Sequence, residues 1–146
     1  MRIDGACHCG NISYEAEIDP EAVIICHCTD CQTNSATAFR YGVLVAAADF
    51  KLLTGTPKRY LKTAESGRQR ALAFCGDCGT SLYGCDATDA PPMFSLRLGT
   101  ARQRTELKPR RKIWHRSAVP ELAEIAAMPA VDTQPNLLGG AISDEN

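Results

Sequence analysis

Apolar and polar residues alternate with a period of two along several short stretches of the chain, which is typical of half-buried β-strands. The clearest stretch is residues 12–18, where Ile12, Tyr14, Ala16 and Ile18 alternate with polar side chains. Further strands are predicted at residues 23–25, 39–45, 50–52, 59–61, 70–74, 82–83 and 93–98. Many short strands at close spacing, with turn residues between them, predict a mainly β domain.

One segment near the C-terminal end has the periodicity of a helix instead. Residues 121–128 follow Pro120, a residue suited to the first turn of a helix. Beyond residue 128 the chain contains Pro135, Gly139 and Gly140 and ends in polar residues. We therefore expect one domain over residues 1–128 with a single short C-terminal helix, followed by a flexible tail over residues 129–146.

Composition narrows the class of protein. At 146 residues the chain is long enough for one domain with a modest core. A net charge of −1 and a pI of about 6.3 give no global reason to expect nucleic acid or an anionic membrane as a partner. No apolar run approaches the length of a membrane span, and no secretory signal is recognised. We expect a soluble, cytoplasmic protein with reduced cysteines.

Seven of the eight cysteines fall into three clusters with spacings suited to a metal ion. A structural zinc is closed by four protein ligands, whereas a catalytic zinc typically has three and leaves a position for water or substrate. The first and third clusters together offer four thiolates, and the middle cluster offers three at the end of a predicted strand. The clusters are Cys7 and Cys9, then Cys26, Cys28 and Cys31, then Cys75 and Cys78.

Two other interpretations of these cysteines stay open. The thiols could form disulfides, although CxC and CxxC spacings without a secretory signal favour metal binding. Alternatively, Cys85 or one of the interleaved histidines, His8 and His27, closes the middle site and makes both zinc ions structural. We expect both histidines to point away from the metal and Cys85 to be a small buried hydrophobic residue.

Positive charge is concentrated between residues 97 and 116, where Glu106 is the single acid. Such a run is usually a solvated face, but it can also hold an anionic ligand. The candidates for binding a carboxylate are Arg97, Arg102, Arg104 and Arg111.

The three cysteine motifs, in this order, resemble the GFA family of glutathione-dependent formaldehyde-activating enzymes and centromere protein V-like domains. The resemblance rests on residues 5–12, 26–32 and 74–83, continues to residue 117, and covers roughly residues 3–120. It implies a zinc-stabilised, Mss4-like β-tent of short antiparallel strands with two zinc ions per chain. The resemblance also implies the ligands: Cys7, Cys9, Cys75 and Cys78 for a structural zinc, and Cys26, Cys28 and Cys31 for a catalytic zinc.

The implied activity is that of a carbon–sulfur lyase, which adds the thiol of glutathione or a related thiol reversibly to formaldehyde. Three thiolates make zinc a weak Lewis acid, so the open position suits a substrate thiol better than hydroxide. No catalytic residue is assigned beyond the metal ligands, because His27, His115 and Tyr41 are each expected to be structural. The alternative is a non-enzymatic zinc module that docks a protein or nucleic acid through the basic stretch, although few aromatic residues and a net acidic charge disfavour it.

Overall fold

Short β-strands form most of the protein, and the computed structural model describes residues 1–130 and 132–133. All eight strands predicted from the alternation are confirmed, as β2 to β9. The strands are β1 Arg2–Ala6, β2 Ser13–Glu17, β3 Val23–Cys26, β4 Arg40–Ala46, β5 Phe50–Thr54, β6 Lys58–Thr63, β7 Gln69–Phe74, β8 Ser81–Asp86, β9 Met93–Arg97 and β10 Arg111–Ile113. Two strands were not predicted: β1, which has Ile3 as its one large apolar residue, and β10, whose three residues are all exposed.

The strands pair into two sheets. One has the order β1-β2-β5, and the other has the order β10-β3-β4-β9-β8-β7-β6. The pairings are antiparallel as expected, except that β10 runs parallel to β3. This exception extends the larger sheet beside the strand that ends in Cys26.

The core lies between the two sheets. In the larger sheet, alternation turns Val43, Val45 and Leu96 towards the smaller sheet, and all three are fully buried. Phe50 of β5 contacts Tyr83 and Phe94 across the gap, with ring centroids 5.3 and 4.7 Å apart. These aromatic contacts join the sheets into one core.

The opposite face of the larger sheet is polar. Strand register places Cys26 beside Arg40 on β4, and Gly42 beside Arg97 on β9. Because side chains alternate along a strand, residues two apart from these, such as Ser95, share the same face. A strip of charged residues and glycines therefore runs across the middle of a sheet whose other face is apolar.

The helical content differs from the prediction. Among the described residues the one α-helix is α1, Thr29–Ser35, where a turn or short helical piece was expected after Cys28. The segment predicted as the C-terminal helix forms two short 3-10 helices instead, Pro120–Ala123 and Ile125–Ala127. Its residues are mostly exposed, so little packing is available to stabilise a longer helix.

The tail predicted over residues 129–146 lies largely outside the described residues, which near this end are 129, 130, 132 and 133. None of the helices that the structure describes is long and apolar enough to cross a membrane.

Candidate metal centre

The first and third cysteine clusters converge on one point. Cys7 and Cys9 lie in the turn after β1, and Cys75 and Cys78 lie in the turn between β7 and β8. The Sγ atoms of Cys7 and Cys9 are 3.5 Å apart, those of Cys9 and Cys75 are 3.8 Å apart, and all four lie within 4.8 Å of one another. A tetrahedral zinc bonded at about 2.3 Å to each sulfur needs separations of about 3.8 Å, so this group fits the ion.

Backbone geometry holds these four sulfurs together. Gly10 and Gly79 follow the second cysteine of each pair and adopt φ values of 82° and 73°, a conformation that favours glycine. The amide of Ile12 donates to Cys7 Sγ at 3.3 Å. Hydrogen bonds from Thr80 lower the pKa of Cys78 to about 5. Turns bring the four sulfurs together, and neutral donors contact two of them, Cys7 and Cys78.

The middle cluster is local in sequence. Cys26 ends β3, Cys28 caps the N-terminus of α1, and Cys31 lies in the first turn of that helix. The Sγ atoms of Cys26 and Cys28 are 3.6 Å apart, and all three lie within 4.8 Å of one another. The amide of Cys31 donates to Cys28 Sγ at 3.4 Å, so the helix cap and the cluster are the same feature.

A buried arginine contacts this cluster. Arg40 is 8 % exposed, and its Nε donates to Cys31 Sγ at 3.2 Å while a terminal nitrogen donates to Ser95 at 2.8 Å. A Cβ atom on Gly42 would lie 2.5 Å from that guanidinium, so only glycine leaves room for it. Hydrogen bonds from Cys26 and Arg40 lower the pKa of Cys31 to about 5, which favours the thiolate.

The middle cluster opens into a cavity of about 490 Å³, a volume within the range of small-molecule sites. Its walls include the polar face of the larger sheet, helix α1 and the exposed Trp114. Two ion pairs cross its rim, Lys62 with Asp30 and Arg116 with Glu65. The three thiolates are therefore reachable by a small molecule.

The alternative ligands do not join the middle cluster. All eight cysteines are free thiols, which disagrees with the disulfide interpretation. Cys85 is 1 % exposed on the core face of β8, as expected of a small hydrophobic residue. His27 is buried against Phe39 and His115, and His8 is exposed. Among the described residues, no fourth Cys, His, Asp or Glu lies in the same group as the three sulfurs.

Of the four arginines predicted for anion binding, only Arg97 reaches this cavity. Arg102 is paired with Asp4 at 2.6 Å, and Arg104 donates to the carbonyl of Ala101. Arg111 is exposed on β10. Two other arginines line the cavity, Arg40 on β4 and Arg70 on β7. Neither belongs to the basic segment of the sequence, so the local charge density did not predict them. Alternation placed both residues on predicted strands, but it does not distinguish a charged side chain that faces a cavity from one that faces solvent.

Comparisons with known proteins agree with this construction. Residues 2–117 match the profile of a protein family described as glutathione-dependent formaldehyde-activating enzyme, abbreviated GFA. A Rhodobacter sphaeroides protein, crystallised as a structural genomics target, is 17 % identical, covers 75 % of this chain and 98 % of its own, and superposes with a TM-score of 0.57. At that identity the likeness is one of fold. No curated protein matches the sequence significantly.

Proposed function

Since the chain belongs to the glutathione-dependent formaldehyde-activating enzyme (GFA) family by its match over residues 2–117, we propose that it is a zinc-dependent, carbon–sulfur lyase-like enzyme. Its substrates are glutathione or a related thiol and formaldehyde, and its product is the S-hydroxymethyl hemithioacetal. The observation that supports this proposal most directly is the group of three sulfurs that faces a cavity of about 490 Å³ without a fourth ligand among the described residues.

The two cysteine groups have different roles in this proposal. The structural zinc is held by Cys7, Cys9, Cys75 and Cys78, and the catalytic zinc by Cys26, Cys28 and Cys31. Zinc at the second group supplies a coordination position at which the pKa of an incoming thiol falls and its nucleophilic form is favoured. The donor set suits this use, because three thiolates disfavour the formation of hydroxide.

The residues of the chain then orient the reaction. Arg40 offsets part of the negative charge of the thiolates, and α1 keeps them at one end of the cavity. The substrate sulfur attacks the carbon of formaldehyde, a carbon–sulfur bond forms, the carbonyl becomes a single bond and its oxygen takes up a proton. Proximity in the cavity converts this encounter into an effectively unimolecular step.

Isothermal titration of the zinc-loaded protein with glutathione tests the proposal. Cys28→Ser should weaken binding at least tenfold, since serine keeps the helix cap but removes one metal ligand. Cys85→Ala is the matched control, because it removes a thiol outside both groups and should leave binding unchanged. The rate at which the hemithioacetal forms from formaldehyde, measured by NMR above the uncatalysed rate, should fall in Cys28→Ser and stay unchanged in Cys85→Ala. An absence of heat with the wild-type protein would contradict glutathione as the substrate.

The docking-module alternative gains little support from the basic stretch. Three of its arginines are paired with acids from other segments, which reduces the charge available to a partner. The pairs are Arg102 with Asp4, Arg110 with Glu21 and Arg116 with Glu65.

A further inference from the structure

Four cationic side chains line the cavity, and three of them are paired within the protein. The pairs are Arg40 with the Cys31 sulfur, Lys62 with Asp30 and Arg70 with Asp86. The fourth is Arg97, the last residue of β9. Within residues 1–130 and 132–133 its guanidinium has neither a hydrogen-bond acceptor nor a carboxylate partner.

Arg97 is also only half-buried, so its guanidinium is accessible from the cavity. Burial and the positive charge of Arg40 lower the pKa of Arg97 to about 10, which still leaves the group protonated at neutral pH. Strand β9 lies between β4 and β8, and these neighbours place Gly42 and Gly84 beside Arg97. The Cβ position of Gly84 is 3.4 Å from a terminal nitrogen of Arg97, so a side chain there would crowd it.

The charges around the cavity do not cancel at Arg97. Three thiolates and a divalent zinc would sum to −1. Arg40 donates to Cys31 directly, and the charges of Cys31 and Cys26 also act on Arg97, where they oppose the lowering of its pKa by burial, so two arginines share one negative charge. The ion pairs of Lys62 and Arg116 are each neutral. Asp86 is shared by Arg70 and the largely exposed Arg68, so it has no capacity left for Arg97. One partly desolvated positive charge is therefore left over, and an anionic ligand in the cavity would supply its partner.

We propose that Arg97, among the arginines of the cavity, forms the subsite that binds a carboxylate of the thiol substrate. This inference rests on the proposed function, because it concerns the same cavity, and it adds the residue that would hold the substrate's carboxylate. One guanidinium matches one carboxylate in charge and in its two-pronged geometry. A phosphate dianion would leave an excess negative charge facing the thiolates. Glutathione meets the requirement with either of its carboxylates, whereas a neutral or cationic thiol does not.

The test separates the carboxylate from the thiol with three probes. Glutathione carries both groups, its diethyl ester keeps only the thiol, and S-methylglutathione keeps only the carboxylates. Dissociation constants are measured by calorimetry on the zinc-loaded wild type, Arg97→Gln and Cys28→Ser. Arg104→Gln is the matched control, since it removes an exposed arginine that contacts its own turn outside the cavity.

The wild type should bind the diester roughly ten- to hundredfold more weakly than glutathione, the usual loss for a charged hydrogen-bond pair. Arg97→Gln should weaken the binding of glutathione by a similar factor and leave the affinity for the diester unchanged. The variant should therefore bind the two probes equally well. Cys28→Ser should abolish the difference between glutathione and S-methylglutathione while the effect of esterification persists. The melting temperature of Arg97→Gln should stay the same or rise, because the variant removes an unpaired, partly buried charge.

Equal losses for glutathione and the diester on Arg97→Gln would overturn the subsite, as would a fall in melting temperature with unchanged affinities. If thiol-dependent binding is found without a carboxylate effect, the proposed function stands and the subsite fails. If an Arg97-dependent carboxylate effect is found without a thiol effect, the subsite stands and the thiol chemistry fails. Failure of all three probes to bind the wild type would overturn both.

Discussion

The two cysteine groups differ in how the chain assembles them. The four-cysteine group joins turns that are 66 residues apart, and thus links the start of the chain to the β7–β8 turn. The three-cysteine group is contained in residues 26–31 and needs only the end of β3 and the first turn of α1. A metal ion in the first group would therefore tie distant segments together, whereas an ion in the second would be presented to a cavity.

The groups also differ in how their negative charge is stabilised. In the four-cysteine group the donors to sulfur are a backbone amide and a threonine hydroxyl, from Ile12 and Thr80. In the three-cysteine group Arg40 supplies a full positive charge from a central strand. The difference suggests that a closed ion needs only neutral donors, whereas an ion that exchanges a ligand benefits from a balancing charge nearby.

The largest expected contrast is in stability. Cys75→Ser should remove cooperative folding or lower the free energy of unfolding by several kcal/mol, because a structural metal contributes folding energy directly. Cys28→Ser should leave the melting temperature within a few degrees of the wild type, because it affects only a local group and preserves the cap of α1. Thermal melts followed by circular dichroism test both variants. Equal destabilisation by the two would remove the distinction between the groups.

A smaller contrast is expected in metal affinity. Arg40→Met removes the donor to Cys31 and should weaken zinc binding in the three-cysteine group by about ten- to hundredfold, as for other outer partners of metal ligands. Zinc in the four-cysteine group should be unaffected. Competition with a graded series of chelators should resolve two equivalents in the wild type and show only the weaker one shifting in the variant.

Arg59→Met serves as the control for that measurement, because Arg59 is an exposed arginine that lies near Cys85 instead of either group. If Arg40→Met released both equivalents together, Arg40 would be required for the fold and not for one site.

The smallest contrast concerns two glycines. Gly10→Ala should cost about 1 kcal/mol, because its φ of 82° is strained for any side chain although nothing lies within 4 Å of the added Cβ. Gly84→Ala should cost less, since its nearest contacts are side-chain atoms of Leu72 and Arg97 at 3.2 and 3.4 Å that can shift. It should nevertheless weaken glutathione binding by displacing Arg97. Denaturant melts measure the loss of stability and calorimetry measures the affinity for glutathione. A larger loss of stability in Gly84→Ala than in Gly10→Ala, or unchanged glutathione binding in Gly84→Ala, would contradict this expectation.

Much of the fold was predictable because its determinants are local. Alternation and short apolar runs identified β2 to β9. They did not identify β1, or β10, whose three residues are exposed and which pairs with β3. The helix expected over residues 121–128 was wrong in detail because periodicity without a buried face does not stabilise an α-helix. The clustering of Cys26, Cys28 and Cys31 was predictable because a cluster within six residues needs no long-range contact.

The sequence by itself determined the cysteine motifs, the division of their sulfurs into four and three, and the alternation that builds the sheets. Only the tertiary structure decided which arginines share the cavity. Arg40 and Arg97 belong to different strands and come together through the pairing of β4 with β9. Arg102 lies only a few residues beyond Arg97 and is directed to Asp4 instead. Strand register is a long-range property, so charge density along the chain predicts a basic segment but not the side chains that face a ligand.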